Sequence, residues 1–244
     1  GDGKDDIAVW RPGAATVAAF YILNSATSTL RQEAFGQTGD DASVVGDYNG
    51  DGKDDLAVYR SGASAGEPST WFYRTTANGP VTYMPWGQNG DFPAPGDYDG
   101  DGKADFAVQR NNGGGQARFC RMQTTAGFDS VVFGTPTDVI VPGDYDGDGK
   151  TDIATVRGAS GSIQWHWLNS SNSTIDYRTF GASATDFPAQ GDYDGDGKTD
   201  VGIWRPSASA NASAFWSLGT TSNTVTTFAF GANGDYPVAN FNSH

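Results

Sequence analysis

Short runs of alternating apolar and polar residues recur along this chain, each ending at a cluster of Gly, Asn, Asp or Ser. The run Asp105-Phe106-Ala107-Val108-Gln109-Arg110 alternates with period two, as a strand does. A Gly/Asn turn over residues 111–115 follows, then Arg118-Phe119-Cys120-Arg121-Met122, a second turn, and Ser130-Val131-Val132-Phe133-Gly134. Together with the short Pro93-Ala94-Pro95-Gly96 ahead of them, these segments predict four strands. Equivalent second strands fall at residues 7–11, 56–60, 153–157 and 201–205. Third strands contain Phe20-Tyr21-Ile22-Leu23, Trp71-Phe72-Tyr73, Trp165-His166-Trp167-Leu168 and Phe215-Trp216. Fourth strands end at Phe35-Gly36, Trp86-Gly87, Phe180-Gly181 and Phe230-Gly231, and no stretch carries a helical period.

The second strands are apolar on both faces. One face carries Ile7/Val9, Leu56/Val58, Phe106/Val108, Ile153/Thr155 and Val201/Ile203; the other begins with Ala8, Ala57, Ala107, Ala154 and Gly202. A strand with one large and one small apolar face suits close packing between two neighbouring sheets. Ahead of each lies the loop Asp-Tyr-Asp-Gly-Asp-Gly-Lys-x-Asp, complete at residues 97–105, 144–152 and 192–200, with Asn at its third place at 47–55. Its fifth positions, Asp2, Asp51, Asp101, Asp148 and Asp196, are spaced by 47 to 50 residues. A period of that length with four strands per unit predicts an all-β, five-bladed propeller with four antiparallel strands in each blade. A single domain is expected, with units at residues 37–87, 88–134, 135–181 and 182–234, and a first unit made of 1–36 plus 235–244. Tyr236-Pro237-Val238-Ala239 matches Phe92-Pro93-Ala94-Pro95, and Asn240-Phe241-Asn242 reads as the start of the loop that opens the chain. The C-terminal strand is therefore expected to close the first blade, with a local slip, because Asp235 to Asn240 is one residue shorter than Asp91 to Asp97.

Composition fits turn-rich β structure: 34 Gly, 18% charged residues and 13% aromatics supply turns and a core that a disordered chain lacks. The net charge of −14 argues against nucleic acid or an anionic membrane surface as partner. Much of it sits in the Asp loops, and five divalent ions would bring it to about −4. Cys120 is the only cysteine, so no intramolecular disulfide forms, and metal sites become the available staples for an extracellular protein. No apolar run reaches the ~18 residues of a membrane helix, so no membrane insertion is expected. The chain starts without Met or a leader and reads as a processed portion of something longer.

Calcium prefers six to eight oxygens, which Asp at positions 1, 3 and 5, a carbonyl at 7 and Asp at 9 supply from one tight loop. Up to five ions are expected, one per loop. The ligand sets are Asp47, Asn49, Asp51, Lys53 and Asp55; Asp97, Asp99, Asp101, Lys103 and Asp105; Asp144, Asp146, Asp148, Lys150 and Asp152; Asp192, Asp194, Asp196, Lys198 and Asp200; and Asn240, Asn242, Asp2, Lys4 and Asp6. Glycine at position 6 allows the turn, and each Lys contributes its carbonyl while its ammonium stays in solvent. Carboxylates converging at ~5 Å repel by about 3 kcal/mol per pair at an effective dielectric near 20, a cost worth repeating in every blade only if a cation offsets it.

The Asp-x-Asp-x-Asp-Gly-x-x-Asp loop, the Phe-Gly pair and the core Gly-Asp-Tyr-Asp-Gly-Asp-Gly-Lys-Thr-Asp resemble the FG-GAP/VCBS repeats found in the integrin α-subunit propeller and in many secreted bacterial propellers. The resemblance covers the whole chain. It implies calcium in the loops, an extracellular or cell-surface location, and a role in adhesion or recognition. Asn49, Asn240 and Asn242 depart from the pattern and lower the ligand charge of two loops.

Every second strand ends in arginine (Arg11, Arg60, Arg110, Arg157, Arg205), and each unit carries an Asp ahead of its first strand (Asp41, Asp91, Asp138, Asp186, Asp235). Arg–carboxylate pairs tying strand ends together are the expected use. The competing use is a lectin-like sugar pocket between blades, for which Trp10 with Arg11, Tyr59 with Arg60 and Trp204 with Arg205 are the candidates. Catalysis is not expected: His166 and His244 are the only histidines, Glu33 and Glu67 the only glutamates, both read as solvent-facing, and Cys120 sits in an apolar strand. Asn169, Asn172 and Asn211 are sequons. The function expected from these features is a calcium-stabilised extracellular binding or adhesion propeller for a glycan or protein ligand, without enzymatic activity. Two alternatives stand beside it. One is a self-assembling structural subunit whose C-terminal strand completes a neighbour's blade, making it a polymer rather than a monomer. The other is a non-catalytic accessory domain of a polysaccharide-active enzyme.

Overall fold

A computed structural model describes residues 6–13, 17–24, 26–209 and 212–238. Nineteen strands form five sheets, and the described residues contain no helix. Blade 1 holds β1 (Ile7–Pro12), β2 (Ala18–Leu23) and β3 (Leu30–Ala34). Blade 2 holds β4 (Leu56–Arg60), β5 (Pro68–Arg74) and β6 (Thr82–Gln88). Blade 3 holds β7 (Phe92–Pro93), β8 (Phe106–Gly113), β9 (Gln116–Gln123) and β10 (Gly127–Val132). Blade 4 holds β11 (Val139–Ile140), β12 (Ile153–Ala159), β13 (Ser162–Leu168) and β14 (Ile175–Ala182). Blade 5 holds β15 (Phe187–Pro188), β16 (Val201–Arg205), β17 (Ala214–Leu218) and β18 (Val225–Ala229). β19 (Tyr236–Val238) pairs antiparallel with β1, so the chain's own C-terminal strand closes blade 1.

The molecule is thus the five-bladed propeller that the repeat predicts, with one local difference. In blade 2 the inner strand shrinks to a single bridge, Asp41 to Tyr59. The segment from Asp40 to Asp47 is one residue longer than its counterparts from Asp91 to Asp97, Asp138 to Asp144 and Asp186 to Asp192, and the extra residue breaks the two-residue register kept by β7, β11 and β15.

Five buried clusters lie between successive blades. Blades 1 and 2 meet through Trp10, Phe20 and Phe35 against Leu56 and Val58. Tyr59 and Trp71 meet Val108, Phe119 packs towards Ile153, and Trp165 and Trp167 meet Val201 and Ile203. Trp204 and Phe215 pack against Val9, which joins the last blade to the first. The small second-strand face has its own reason: a Cβ at Gly202 would come within 2.1 Å of the Ala189 carbonyl oxygen and 2.9 Å of the Tyr193 ring. Tyr193 is the Tyr of the Asp loop, and its hydroxyl donates to Ala189 O at 2.7 Å; Tyr48, Tyr98 and Tyr145 do the same to Val44, Ala94 and Val141. The repeated loop tyrosine therefore packs into its blade, buried at Tyr98 and Tyr145.

The glycine after the fourth-strand aromatic also touches the neighbouring blade. Gly87 sits at φ +90°, and a Cβ there would lie 2.9 Å from Tyr59 Oη and 3.0 Å from Val108 Cγ1 of blade 3. Gly90, at φ +95°, has nothing within 4 Å of that position. Both backbones disfavour a side chain, but only Gly87 adds a clash. Gly90→Ala is expected to cost about 1 kcal/mol and Gly87→Ala about 2–4 kcal/mol in denaturant unfolding. Equal losses would show that blade contact at Gly87 is not tight.

Candidate metal centre

Each of the four fully described Asp loops is bent by two glycines in left-handed conformation, at φ +79° and +85° for Gly100 and Gly102 in blade 3. The turn wraps around the first Asp. Asp97 accepts the backbone N–H groups of Gly100 (2.6 Å), Asp101 (3.1 Å) and Gly102 (2.7 Å), and Asp144 and Asp192 are held in the same way. The Lys at position 7 donates its N–H to the fifth-position Asp, as in Lys103 to Asp101 (3.0 Å), Lys150 to Asp148 (2.9 Å) and Lys198 to Asp196 (3.0 Å). The last Asp accepts the N–H of the loop Tyr: Asp55 from Tyr48, Asp105 from Tyr98, Asp152 from Tyr145 and Asp200 from Tyr193.

These bonds bring the carboxylates together. One oxygen each of Asp97, Asp99 and Asp101 lie within 4.8 Å of one another, as do those of Asp144, Asp146 and Asp152, and of Asp192, Asp194 and Asp200. Asp99 Oδ1 is buried with no hydrogen-bond donor. Burial, with added repulsion from the other carboxylates of the loop, pushes Asp55, Asp105 and Asp152 up to about 7 and Asp200 up to about 6, against the backbone N–H groups that hold them. A donor set of hard oxygens, one of them orphaned, fits a divalent cation of the calcium type.

In blade 2 the arrangement differs. Asn49 turns its amide nitrogen towards Asp51 Oδ2 and Asp55 Oδ1, both at 3.4 Å, so a dipole stands where blade 3 has a third-position carboxylate. The loop Asp47, Asn49, Asp51, Lys53, Asp55 is present, with less negative charge, as its sequence predicts. Of the divided loop, Asp2, Lys4, Asn240 and Asn242 lie outside the described residues, and Asp6 is half-buried just ahead of β1.

Two features of the loops escape sequence reasoning although both leave a trace in it. A Ser/Thr pair in the turn between the third and fourth strands caps the carboxylates. Thr124 N and Oγ1 reach Asp105 (2.7 Å) and Asp101 (2.6 Å), and Thr125 Oγ1 reaches Asp99 (2.6 Å). Ser170 and Ser171 serve Asp152, Asp148 and Asp146, while Thr220 and Ser222 serve Asp200 and Asp194. Their signal is a hydroxyl pair 22 to 24 residues after the fifth-position Asp, including Thr75-Thr76 in blade 2. Second, the loops are chained. Ala104 N donates to Asp47 O (2.6 Å), Thr151 N to Asp97 O (2.7 Å) and Thr199 N to Asp144 O (2.6 Å), each reaching the preceding blade. The Lys side chains follow: Lys103, Lys150 and Lys198 lie over Gly50, Gly100 and Gly147 of the blade before, so their stems are packed rather than free.

At the other end of the blades, all five arginines pair with a carboxylate. Arg11–Asp235, Arg110–Asp91, Arg157–Asp138 and Arg205–Asp186 form as the sequence predicts, at 2.6 to 2.7 Å. Arg60 takes Asp40 at 2.8 Å, not the expected Asp41, which instead bridges Tyr59 at the place that Phe92 holds opposite Gln109. Each of these Asp residues also accepts a turn N–H, such as that of Gln88 for Asp91, so the pair closes a turn. The candidate sugar pockets do not present open faces. Trp10, Tyr59 and Trp204 are buried in the inter-blade clusters, and Arg11, Arg60 and Arg205 are committed to Asp235, Asp40 and Asp186. Trp indoles are held besides, with Nε1 of Trp204 donating to Phe230 O at 3.0 Å. Glu33 is not a solvent-facing residue: it accepts from Arg74 of blade 2 at 2.6 Å. Asn169 is buried with its amide on Thr174 and Asp176, which removes it as a glycan acceptor in the folded state; Asn211 lies outside the described residues.

Three overlapping stretches, residues 47–108, 97–155 and 144–203, match the model of the FG-GAP-like repeat, together more than half of the chain. No curated protein and no solved structure matches it.

The raised carboxyls set a pH dependence. A group whose folded-state value lies above its unfolded value adds stability below the unfolded value and loses it as pH rises through the folded one. In chelator, the melting temperature is therefore expected to fall between pH 4 and pH 7, the window set by Asp55, Asp105, Asp152 and Asp200. A melting temperature that climbs across that window without metal would contradict this electrostatic account.

Proposed function

The chain belongs to the FG-GAP-like repeat family, and on that premise we propose that it is a calcium-stabilised extracellular binding module, secreted or displayed at a surface, with a glycan or another surface molecule as ligand. The observation that carries the calcium reading is Asp99 Oδ1, buried without a donor beside the carboxylates of Asp97 and Asp101. In blade 3, Asp97, Asp99, Asp101, Asp105 and the Lys103 carbonyl would hold the ion, and the same positions would do so in blades 4 and 5. Blade 2 would hold it less tightly through Asn49. Magnesium fits less well, because it keeps several waters and avoids cages made wholly of protein oxygens. A bound ion supplies the positive charge that the converging carboxylates lack.

The role in this reading is structural. Free calcium at tenfold its dissociation constant stabilises by about 1.4 kcal/mol per site. Several such sites together approach the entire stability of an ordinary domain. A binding role rather than a catalytic one is supported by the state of the reactive side chains. Cys120 is buried and burial raises its thiol, while His166 is half-buried and burial lowers its imidazole, leaving it a neutral neighbour of Tyr177. An extracellular setting is supported by family membership and by the reliance on calcium, which is scarce inside cells. Among the described residues no helix is long and apolar enough to cross a membrane.

Calorimetric titration with calcium, paired with melting in calcium and in EDTA, tests the stabilising role. Calcium is expected to raise the melting temperature and to reverse its fall with pH. Asp105→Asn should remove about one binding event, and Asn49→Asp should tighten one. Identical melts in calcium and EDTA would end the calcium reading. A glycan array in calcium buffer tests the ligand: selective binding lost in EDTA is expected, and a blank array across sugar classes would remove glycan as the ligand.

A further inference from the structure

The inner strands surround a cavity of about 930 Å³ at the Arg–Asp end of the ring, lined by Asp40, Asp41 and Asp138 and by no described Asp-loop carboxylate. Its size suits a small ligand. Four blades line its mouth with the first residue of the inner strand, and all four are large apolar side chains held 41 to 54% exposed: Phe92, Val139, Phe187 and Tyr236. Phe92, Phe187 and Tyr236 are each followed by a proline (Pro93, Pro188 and Pro237), which stiffens the wall and leaves it short of N–H donors. Blade 2 breaks the pattern. Its equivalent residue is Asp41, exposed, at the single bridge that replaces the inner strand. Ser43 donates its N–H (2.9 Å) and hydroxyl (2.6 Å) to Asp41 Oδ1, which fixes the carboxylate in place. The neighbouring Asp40 and Asp138 are neutralised by Arg60 and Arg157, but no cation pairs with Asp41 among the described residues.

We propose that this axial cavity is a binding site for an organic cation, an ammonium group on an apolar body, with the charge at Asp41 and the body against Phe92, Phe187 and Tyr236. Aromatic side chains around one carboxylate attract an alkylated ammonium through the negative ring faces and the carboxylate together. A neutral apolar ligand would leave Asp41 desolvated and unpaired, and an anion would be repelled by it and by the net charge of −14. The cation can belong to a small amine or to a lysine of a protein partner; the chemistry at the cavity is the same. The site is independent of the calcium reading, since none of its residues is a loop carboxylate.

The test uses the whole chain in calcium buffer, with binding read from calorimetry and from the emission of Trp10, which lines the cavity. Benzyltrimethylammonium is expected to bind at ~1 mM or tighter. Choline should bind about tenfold more tightly than its neutral isostere 3,3-dimethylbutan-1-ol, and Asp41→Asn should abolish that preference. A trimethyllysine peptide forms the second arm: tighter binding than benzyltrimethylammonium assigns the cation to a protein partner, and weaker binding assigns it to a free amine. Equal binding of choline and its isostere to the unaltered chain, or no binding of any cation, would overturn the proposal. That comparison does not require the variant to fold.

Discussion

The second strand of every blade in this molecule is apolar on both faces, and neither face can be left to water. Fully burying a large apolar side chain is worth about 1.5–3 kcal/mol, and Trp71, Trp165 and Trp204 are each wholly buried between blades. A row of such sheets that stopped would leave two of these faces open, so the row turns back on itself. The cluster of Trp204 and Phe215 against Val9 is that closure, and β19 completes it by giving blade 1 its inner strand from the far end of the chain. Ring geometry then decides which residues must be small: Gly87 and Gly202 stand where a neighbouring side chain or carbonyl leaves no room for Cβ.

Closure also sorts the charges onto two ends. At one end each carboxylate has an arginine, and the guanidinium remains 39 to 44% exposed while the Asp is almost fully buried. Such half-exposed pairs contribute little by attraction alone. Their worth lies in satisfying a buried Asp that also caps a turn. At the other end the carboxylates converge on one another, and the loops are linked blade to blade through Asp47, Asp97 and Asp144 carbonyls. A cation held in one loop would therefore stiffen the entry to the next blade. The acidic balance of the chain belongs to that end.

Strand number, blade number, loop chemistry and the closing strand were legible before any coordinates, because each is written several times and each rests on local rules: period-two alternation, glycine turns, ligand spacing. The errors came where a single residue or a distant partner decides. Asp41 looked like the partner of Arg60, but one extra residue in blade 2 hands that role to Asp40. Glu33 looked solvent-facing, yet Arg74 of the next blade reaches it. Trp10, Tyr59 and Trp204 carry the residue types of a sugar site, and the packing of adjacent blades turns those same rings inward. Thr124-Thr125 and Ser170-Ser171 recur at nearly the same distance from the loops, a weak signal because hydroxyl pairs are common in turns.

From the chain alone follow the all-β class, the five units and the carboxylates that gather at one end of each, since these depend on neighbours in sequence and recur with the repeat. The inter-blade contacts, the hydrogen bonds that chain one loop to the next, and the cavity on the axis with Asp41 in its wall were decided only by the closed ring. They join residues of different blades, about 20 to 200 positions apart, and no local pattern records which side chains a curved row of sheets will bring face to face.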